Sequence, residues 1–202
     1  MKKIDLRKKY KDLYTASAKK PALLDVPSLP YLMIDGAGDP NTAKSFQRAV
    51  GTLYSISYTL KFAWKKEKAV DYPVMALEGL WWMNDMSAFS LERKNEWKWT
   101  MMIMQPDFVP RAEALKIARR VREKSGLEDF PAVRYEIFKE GRCAQVLHVG
   151  PYSAEGPTVA RLHEFIRSEG YALRGKHHEI YLGDPRRAAP DRLRTIIRQP
   201  VG

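Results

Sequence analysis

The stretch KHHEIYLGDP, residues 176–185, sets two histidines and a glutamate ahead of a short apolar run. Three chemistries use such groups: metal ligation, acid–base catalysis by the carboxyl, and plain solvated charge on a strand. Strand geometry separates them. Successive side chains point to opposite faces, so His177, Glu179 and Tyr181 share one face, and His178, Ile180 and Leu182 the other. Adjacent histidines on a strand do not both ligate one ion. His177 and Glu179 supply two ligands, whereas zinc needs a third or fourth, and nothing in the sequence fixes His148 or His163 nearby. No metal and no cofactor are expected.

A second carboxylate stands in ALEGLWW, residues 76–82. Glu78 shares a face with Ala76, Leu80 and Trp82. Glutamate is uncommon at strand centres, and its charge is costly to bury alone. Glu78 and Glu179 are both expected on the sheet face turned away from the helices, opening into one groove. The bland alternative is two solvated acids on a half-exposed sheet. The surroundings favour a site. Trp81, Trp82, Trp97, Trp99, Tyr135, Tyr152 and Tyr181 fall on or beside predicted strands, and Met75, Met83, Met101, Met102 and Met104 add polarizable surface. Rings offer stacking and apolar area to a flat, cationic ligand, and a carboxylate orients or neutralises it. Desolvation raises such an acid's pKa, which suits it to acid–base work. The candidate catalytic residues are Glu179 and Glu78. The candidate ligand-binding residues are Trp82, Tyr181, Tyr135, Tyr152, His177, Trp99 and Met104.

The elements that must hold these residues follow from periodicity and punctuation. Residues 4–20 read as a polar, partly helical arm, and PALLDVPSLP as a linker ended by prolines. YLMIDG (31–36) reads as a strand. GDPNT opens a helix with Asp39 as cap and Pro40 at its first position. Phe46, Val50, Leu53, Leu60 and Trp64 recur at helical spacing, carrying that helix to about residue 66. Strands over 72–82 and 96–106, separated by a loop, precede a helix from Pro110 to about Lys124 that stops at Gly126. The second half gives strands over 132–141 and 143–150, a helix carrying Leu162, Phe165 and Ile166, and strands over 174–183 and 192–200.

The halves repeat one another. YLMIDGAGDP answers VLHVGPYSAEGP, ALEGLWW answers HHEIYLGD, and MIMQP (102–106) answers IIRQP (196–200). Three matches in the same order indicate a duplicated β-α-β-β unit, and this alignment sets Glu78 against Glu179. The expected organisation is α+β: an arm and linker over 1–30, then one domain over 31–202 built from repeats at about 31–126 and 132–202. An approximate two-fold would relate the repeats, with one antiparallel sheet and a central groove.

Composition limits the alternatives. The chain has 202 residues, a net charge of +11 and 45% hydrophobic residues. No apolar run reaches the ~20 residues that cross a bilayer, and the lysine-rich start lacks the apolar core of a signal peptide. Cys143 is the single cysteine, which excludes an internal disulfide and points to the cytoplasm. The positive charge is spread along the arm, helix faces and tail without a helix-turn-helix, zinc-finger or RNP-like pattern, so no specific nucleic-acid partner is expected. There is no Gly-x-Ser-x-Gly elbow to support a serine nucleophile.

LEGLWW, HVGPYSAEGPT and HHEIYLGDPRRAAPDRLRTIIRQP together resemble the stand-alone GyrI-like small-molecule-binding family, related to effector-binding domains of multidrug-responsive regulators and to the SOUL haem-binding fold. The resemblance runs from about Leu6 to Val201. It implies the duplicated fold and a central groove for bulky aromatic compounds. Some stand-alone members hydrolyse cyclopropane-bearing, DNA-alkylating natural products and so detoxify them. The family's groove carboxylate corresponds to Glu179, its other acidic position to Glu78, and the aromatic wall to Trp82 and Tyr181. No haem-ligation pattern stands out, and His148 reads as structural. The resemblance leaves three roles: a hydrolase, a drug-sequestering module without chemistry, and an interaction with DNA gyrase.

Overall fold

The computed structural model describes residues 1–86 and 91–202. In chain order the strands are Lys2–Lys3 (β1), Ala22–Ala37 (β2), Val70–Asp71 (β3), Leu77–Trp82 (β4), Lys98–Met104 (β5), Arg134–Val149 (β6), His177–Tyr181 (β7) and Arg194–Pro200 (β8). The helices are Leu6–Lys9 (α1), Lys44–Glu67 (α2), Arg111–Ser125 (α3) and Gly156–Ser168 (α4). This is an α+β fold with antiparallel strand pairs. It forms two compact units: Met1–Lys9, Leu29–Leu77 and Trp82–Phe138 make the first, and Tyr10–Ser28, Glu78–Trp81 and Lys139–Gly202 the second.

In the first unit, β5 pairs antiparallel with the end of β2, from Tyr31↔Met104 to Ala37↔Lys98. The register is fixed by apolar side chains that α2 and the strands bury together, among them Leu53, Ile56, Leu60, Met33, Met101 and Ile103. Gly36 has no side chain because the Trp99 ring lies over it, where any Cβ would overlap. Phe46 of α2 meets Trp99 edge-on at 5.3 Å between centroids. α3 begins after Pro110 and ends at Gly126, whose φ of 62° favours glycine.

In the second unit the strand order is β4–β7–β8–β6. β8 pairs antiparallel with β6 from Cys143↔Pro200 to Val149↔Arg194, and with β7 from His178↔Arg198 to Tyr181↔Thr195. α4 covers one face through Leu162 and Ile166, which pack with Ala144, Val146, Ile197 and Val201. The repeated Gln-Pro motif has the same use in each unit. Gln105 bonds Ser57 and the Ile103 carbonyl, and Gln199 bonds the Arg174 and Pro200 carbonyls, so each buries a satisfied amide.

Four expectations change. PALLDVPSLP is the start of β2, not a linker: proline removes a donor but keeps its acceptor, and the Pro30 carbonyl takes the Gln105 N–H at 2.8 Å. Asp39 does not cap α2. It closes a turn on the Asn41 N–H at 2.9 Å, and the helix starts from Ala43 without a side-chain cap. Residues 134–149 form one strand rather than two, with Gly141 inside it at φ 81°, a conformation that favours glycine. The segment expected as an arm outside the domain is in part packed into it: Tyr10–Ser28 belongs to the second unit, and Leu13 is buried there. The loop expected after Trp82 lies partly outside the described residues.

Candidate functional site

Cross-strand partners of an antiparallel pair share a face, so the register places every side chain of the second unit's sheet. Glu179 stands opposite Ile197, and Ile197 packs under α4. Glu179, His177, Tyr181 and Thr195 therefore share the face that α4 covers. His178 stands opposite Arg198, and Arg198 opposite Gln145, on the reverse face.

On the α4 face the Tyr181 hydroxyl donates to Glu179 Oε2 at 2.8 Å, and His177 Nε2 lies 3.1 Å from Glu179 Oε1. Trp81 Nε1 in turn donates to the Tyr181 oxygen at 3.1 Å. Tyr152, in the turn before α4, meets the Tyr181 ring edge-on, with centroids 5.7 Å apart. Burial, and then the Glu179 charge, raise the Tyr181 phenol well above its ordinary value, so it stays a donor. Gly79 makes room for this arrangement: a Cβ there would lie 2.8 Å from Trp81 Nε1 and 3.1 Å from the Tyr181 oxygen. His148 fixes the approach to α4. Its Nε2 lies 3.2 Å from the Pro151 carbonyl, which can only accept, so Nε2 carries the proton and Nδ1 accepts from Thr158 at 3.1 Å.

The reverse face holds a closed ionic network. Glu78, fully buried, accepts from the Tyr14 hydroxyl at 2.6 Å and lies 3.1 Å from His178 Nε2. His178 Nδ1 lies 2.8 Å from Glu140 Oε1, and Arg198 donates to Glu140 at 3.3 Å, to Gln145 and to the Leu13 carbonyl at 2.5 Å. Gln145 donates onward to the carbonyls of Asp12 and Thr15. Burial acts to lower the His178 pKa, but the flanking Glu140 and Glu78 carboxylates outweigh it and raise it to about 9. Burial likewise works to raise Glu140, yet His178 and Arg198 hold it below the ordinary carboxylate value. Two carboxylates and two cations thus neutralise one another out of water, the condition under which a buried charge is tolerable.

The structure brings together Glu179, Tyr181, His177 and Tyr152, and it separates Glu78 from them. The expectation that both glutamates share a face turned from the helices is corrected on two counts: Glu179 is on the α4 face, and Glu78 is on the reverse face within the network. Trp99, Met104 and Tyr135 belong to the first unit and are buried there. Trp99 packs against Gly36 and Phe46, Met104 stands opposite Tyr31, and the Tyr135 hydroxyl donates to the Val109 carbonyl at 3.0 Å. Trp82 is partly buried at the end of β4 in the same unit. His177 and His178 take different partners, as strand parity requires. Sequence reasoning counted Trp81 among the aromatics beside the strands but not among the site residues, and it passed over Thr195 and Glu155. For Trp81 the signal was available: matching Leu80-Trp81 to Ile180-Tyr181, rather than Glu78 to Glu179, puts the indole on the Tyr181 face.

The sequence matches the GyrI-like small molecule binding domain over residues 19–201. Among solved structures it is similar to an uncharacterized conserved protein from Listeria innocua, at 39% identity and TM-score 0.90, covering 98% of this chain and all of that one. A hydrolase from Listeria innocua is 40% identical over the whole of both chains, with TM-score 0.87. At 13% identity and TM-score 0.55, the C-terminal domain of EcmrR shares the fold, over 91% of this chain and 97% of that one. No curated protein matches. Among the described residues no helix is long and apolar enough to cross a membrane.

Proposed function

Since the chain belongs to the GyrI-like small molecule binding domain family, we propose that it binds bulky aromatic small molecules and hydrolyses cyclopropane-bearing alkylating compounds, a detoxifying reaction of the cytoplasm. The observation that carries this reading is Glu179. It is the carboxylate on the α4 face, held from both sides by Tyr181 and His177 and neighboured by Trp81 and Tyr152. The two Listeria innocua hydrolases at 38% and 40% identity support the same reaction class.

Glu179 serves as general base. The Tyr181 hydroxyl occupies Oε2, which leaves the carboxylate oriented and able to take a proton from water. In the reaction a water O–H bond breaks toward Glu179 and a C–O bond forms at the strained ring carbon. The ring C–C bond breaks, and its electron pair enters the carbonyl conjugated with it, whose oxygen is then protonated from solvent. An activated cyclopropane needs little acid help, so orientation and one base suffice. Glu78 has no part in this step, because it is fully buried on the other face, inside the network of Tyr14, His178 and Glu140, whereas the Glu179 side chain keeps 13% of its surface exposed.

The test is incubation of the purified protein with a cyclopropane-bearing alkylator, followed by mass spectrometry for the water adduct. Adduct formed by the wild type and not by Glu179→Gln supports the hydrolase. Binding of the compound without its consumption would leave a sequestering module. A gyrase supercoiling assay addresses the third role, and unchanged supercoiling in the presence of the protein excludes it.

A further inference from the structure

Glu179 is not the sole carboxyl at the entry to α4. Glu155, the residue just before the helix, is 6% exposed, and its side chain interacts directly with those of Glu179 and Thr195. Glu155 Oε1 and Thr195 Oγ1 are nonetheless buried without a well-formed hydrogen-bond partner among the described residues. Each open buried polar atom costs about 1–3 kcal/mol, and native proteins keep such costs chiefly where water, an ion or a catalytic role accounts for them. Glu155, just before α4, meets both Thr195 on β8 and Glu179 on β7, and Thr195 stands opposite Tyr181.

The groups facing this place come from four elements. β7 supplies His177, Glu179 and Tyr181, and β8 supplies Thr195. The turn before α4 supplies Tyr152. α4 supplies His163, whose own Nε2 is buried without a partner and whose pKa burial, His177 and Arg167 push down. The two carboxyls are unequal. Glu179 has a hydroxyl donor in Tyr181 and an imidazole in His177, whereas burial and the Glu179 charge both act against a charge on Glu155.

We propose that Glu155 and Glu179 work as one pair holding a single proton, kept on Glu155, and that the neutral Glu155 carboxyl and the Thr195 hydroxyl hold the water that Glu179 deprotonates. This rests on the hydrolase reading of the site. The Glu155 O–H donates to Glu179, which fixes the base. Glu155 Oε1 accepts one water proton while Glu179 accepts the other, and Thr195 donates to one water lone pair. The second lone pair is left to attack the ring carbon. The Glu155 proton is not consumed, so one water proton per turnover passes to Glu179 and then to solvent.

The experiment combines infrared spectroscopy with a pH–rate profile on the wild type, Glu155→Gln, Glu155→Leu and Thr195→Val. The wild type should show the carbonyl stretch of a neutral carboxylic acid at neutral pH, fading as pH passes about 9, and Glu155→Gln should lack it. With a cyclopropane-bearing alkylator, wild-type hydrolysis should fall over the same alkaline range. Tyr181 does not account for that fall, since its pKa lies well above the ordinary phenol value. Glu155→Gln, which stays neutral and can both donate and accept, should be faster than Glu155→Leu and should lose the alkaline fall. Glu155→Leu and Thr195→Val should lose about tenfold or more at every pH, the scale of a lost hydrogen bond to a reacting group. A Leu variant as fast as wild type, or a Gln variant with the same alkaline fall, overturns the proposal. If no protein consumes the alkylator, the hydrolase reading fails. The infrared band then decides the shared proton alone: its loss in Glu155→Gln upholds it, and a wild type without the band overturns it.

Discussion

The Tyr181 hydroxyl donates to Glu179 Oε2 across 2.8 Å while its own oxygen accepts the Trp81 indole N–H at 3.1 Å. With His177 Nε2 3.1 Å from Oε1, the carboxylate is held at both oxygens and its plane is fixed. Removing the hydroxyl in Tyr181→Phe leaves the ring, and with it the packing against Tyr152, but removes the donor to Oε2 and the oxygen to which Trp81 Nε1 donates. Turnover should fall by about tenfold, the equivalent of roughly one hydrogen bond, while ligand affinity by calorimetry stays close to wild type. Equal loss of affinity and turnover would instead assign Tyr181 to binding.

Glu179→Gln should behave differently. The amide keeps the shape and still accepts from Tyr181, but it takes no proton from water. A general base contributes about 10²–10⁴-fold, so single-turnover rates should drop by that order with binding intact. A Gln variant at the wild-type rate would remove Glu179 from the base role.

Tyr152→Ala should act on binding, since its ring stands edge-on to Tyr181 and contributes stacking area. A fully buried aromatic is worth about 3–5 kcal/mol, and Tyr152, partly exposed in the turn before α4, should cost less. Calorimetric titration with a flat aromatic compound reads this directly, and an unchanged dissociation constant would take Tyr152 off the ligand wall.

Stability should fall as the solution turns alkaline. His178 has a folded-state pKa raised to about 9 from an ordinary 6.5, so the folded chain binds more protons than the unfolded chain between those values. Its contribution is complete below the unfolded value and is lost as pH rises through the folded one. Glu155, raised from 4.5 to about 9, has the same sign, because the fold favours its neutral form. Each group can change stability by up to about 1.4 kcal/mol per pH unit within its window. Urea midpoints should therefore decline from about pH 4.5 through Glu155, more steeply above about 6.5 as His178 joins, and level off past about 9, with a shallower decline in Glu155→Gln. His178→Ala, which leaves Glu78 and Glu140 buried beside one another's charge, should cost about 3–5 kcal/mol at neutral pH.

Gly79→Ala tests the close approach of β4 and β7. The added methyl meets Trp81 Nε1 and the Tyr181 oxygen at distances that real Cβ atoms do not sustain or sustain only with a shift. The indole or the phenol must give way, so the variant should lose turnover with a stability loss of about 1–3 kcal/mol. Wild-type turnover in Gly79→Ala would show that the Trp81–Tyr181 contact is dispensable.

Much of this fold is legible in the residues. Period-3.6 spacing finds α2 and α3, Gly126 marks where α3 stops, and the Gln-Pro repeat marks β5 and β8. Parity within HHEIY also separates His177 and Glu179 from His178 correctly. What parity within one strand does not supply is which face meets a helix, because that depends on the partner strand's register. Aligning Glu78 with Glu179 slips the repeat by one residue, and a slip of one moves every side chain to the other face. The slip is invisible while both strands read as half-polar. Pairing decides it, since Glu179 lies opposite Ile197 and His178 opposite Arg198. Glu155 stayed hidden for a related reason. Its turn reads as exposed, and only the packing of α4 on the sheet buries it.

The buried guanidinium of Arg198 has a consequence for the order in which the chain folds. Its 2.5 Å bond to the Leu13 carbonyl spans 185 residues, and Gln145 reaches Asp12 and Thr15 across more than half the chain. The second unit therefore joins the segment around Leu13 to a strand made 185 residues later in synthesis. During translation Tyr10–Ser28 must wait, with Leu13 and Val26 uncovered, until β8 has emerged. Loops of that length close slowly, and apolar segments held open in the meantime invite misassociation. A first unit folded early, from residues largely between 29 and 138, shortens the distance that remaining closure has to span.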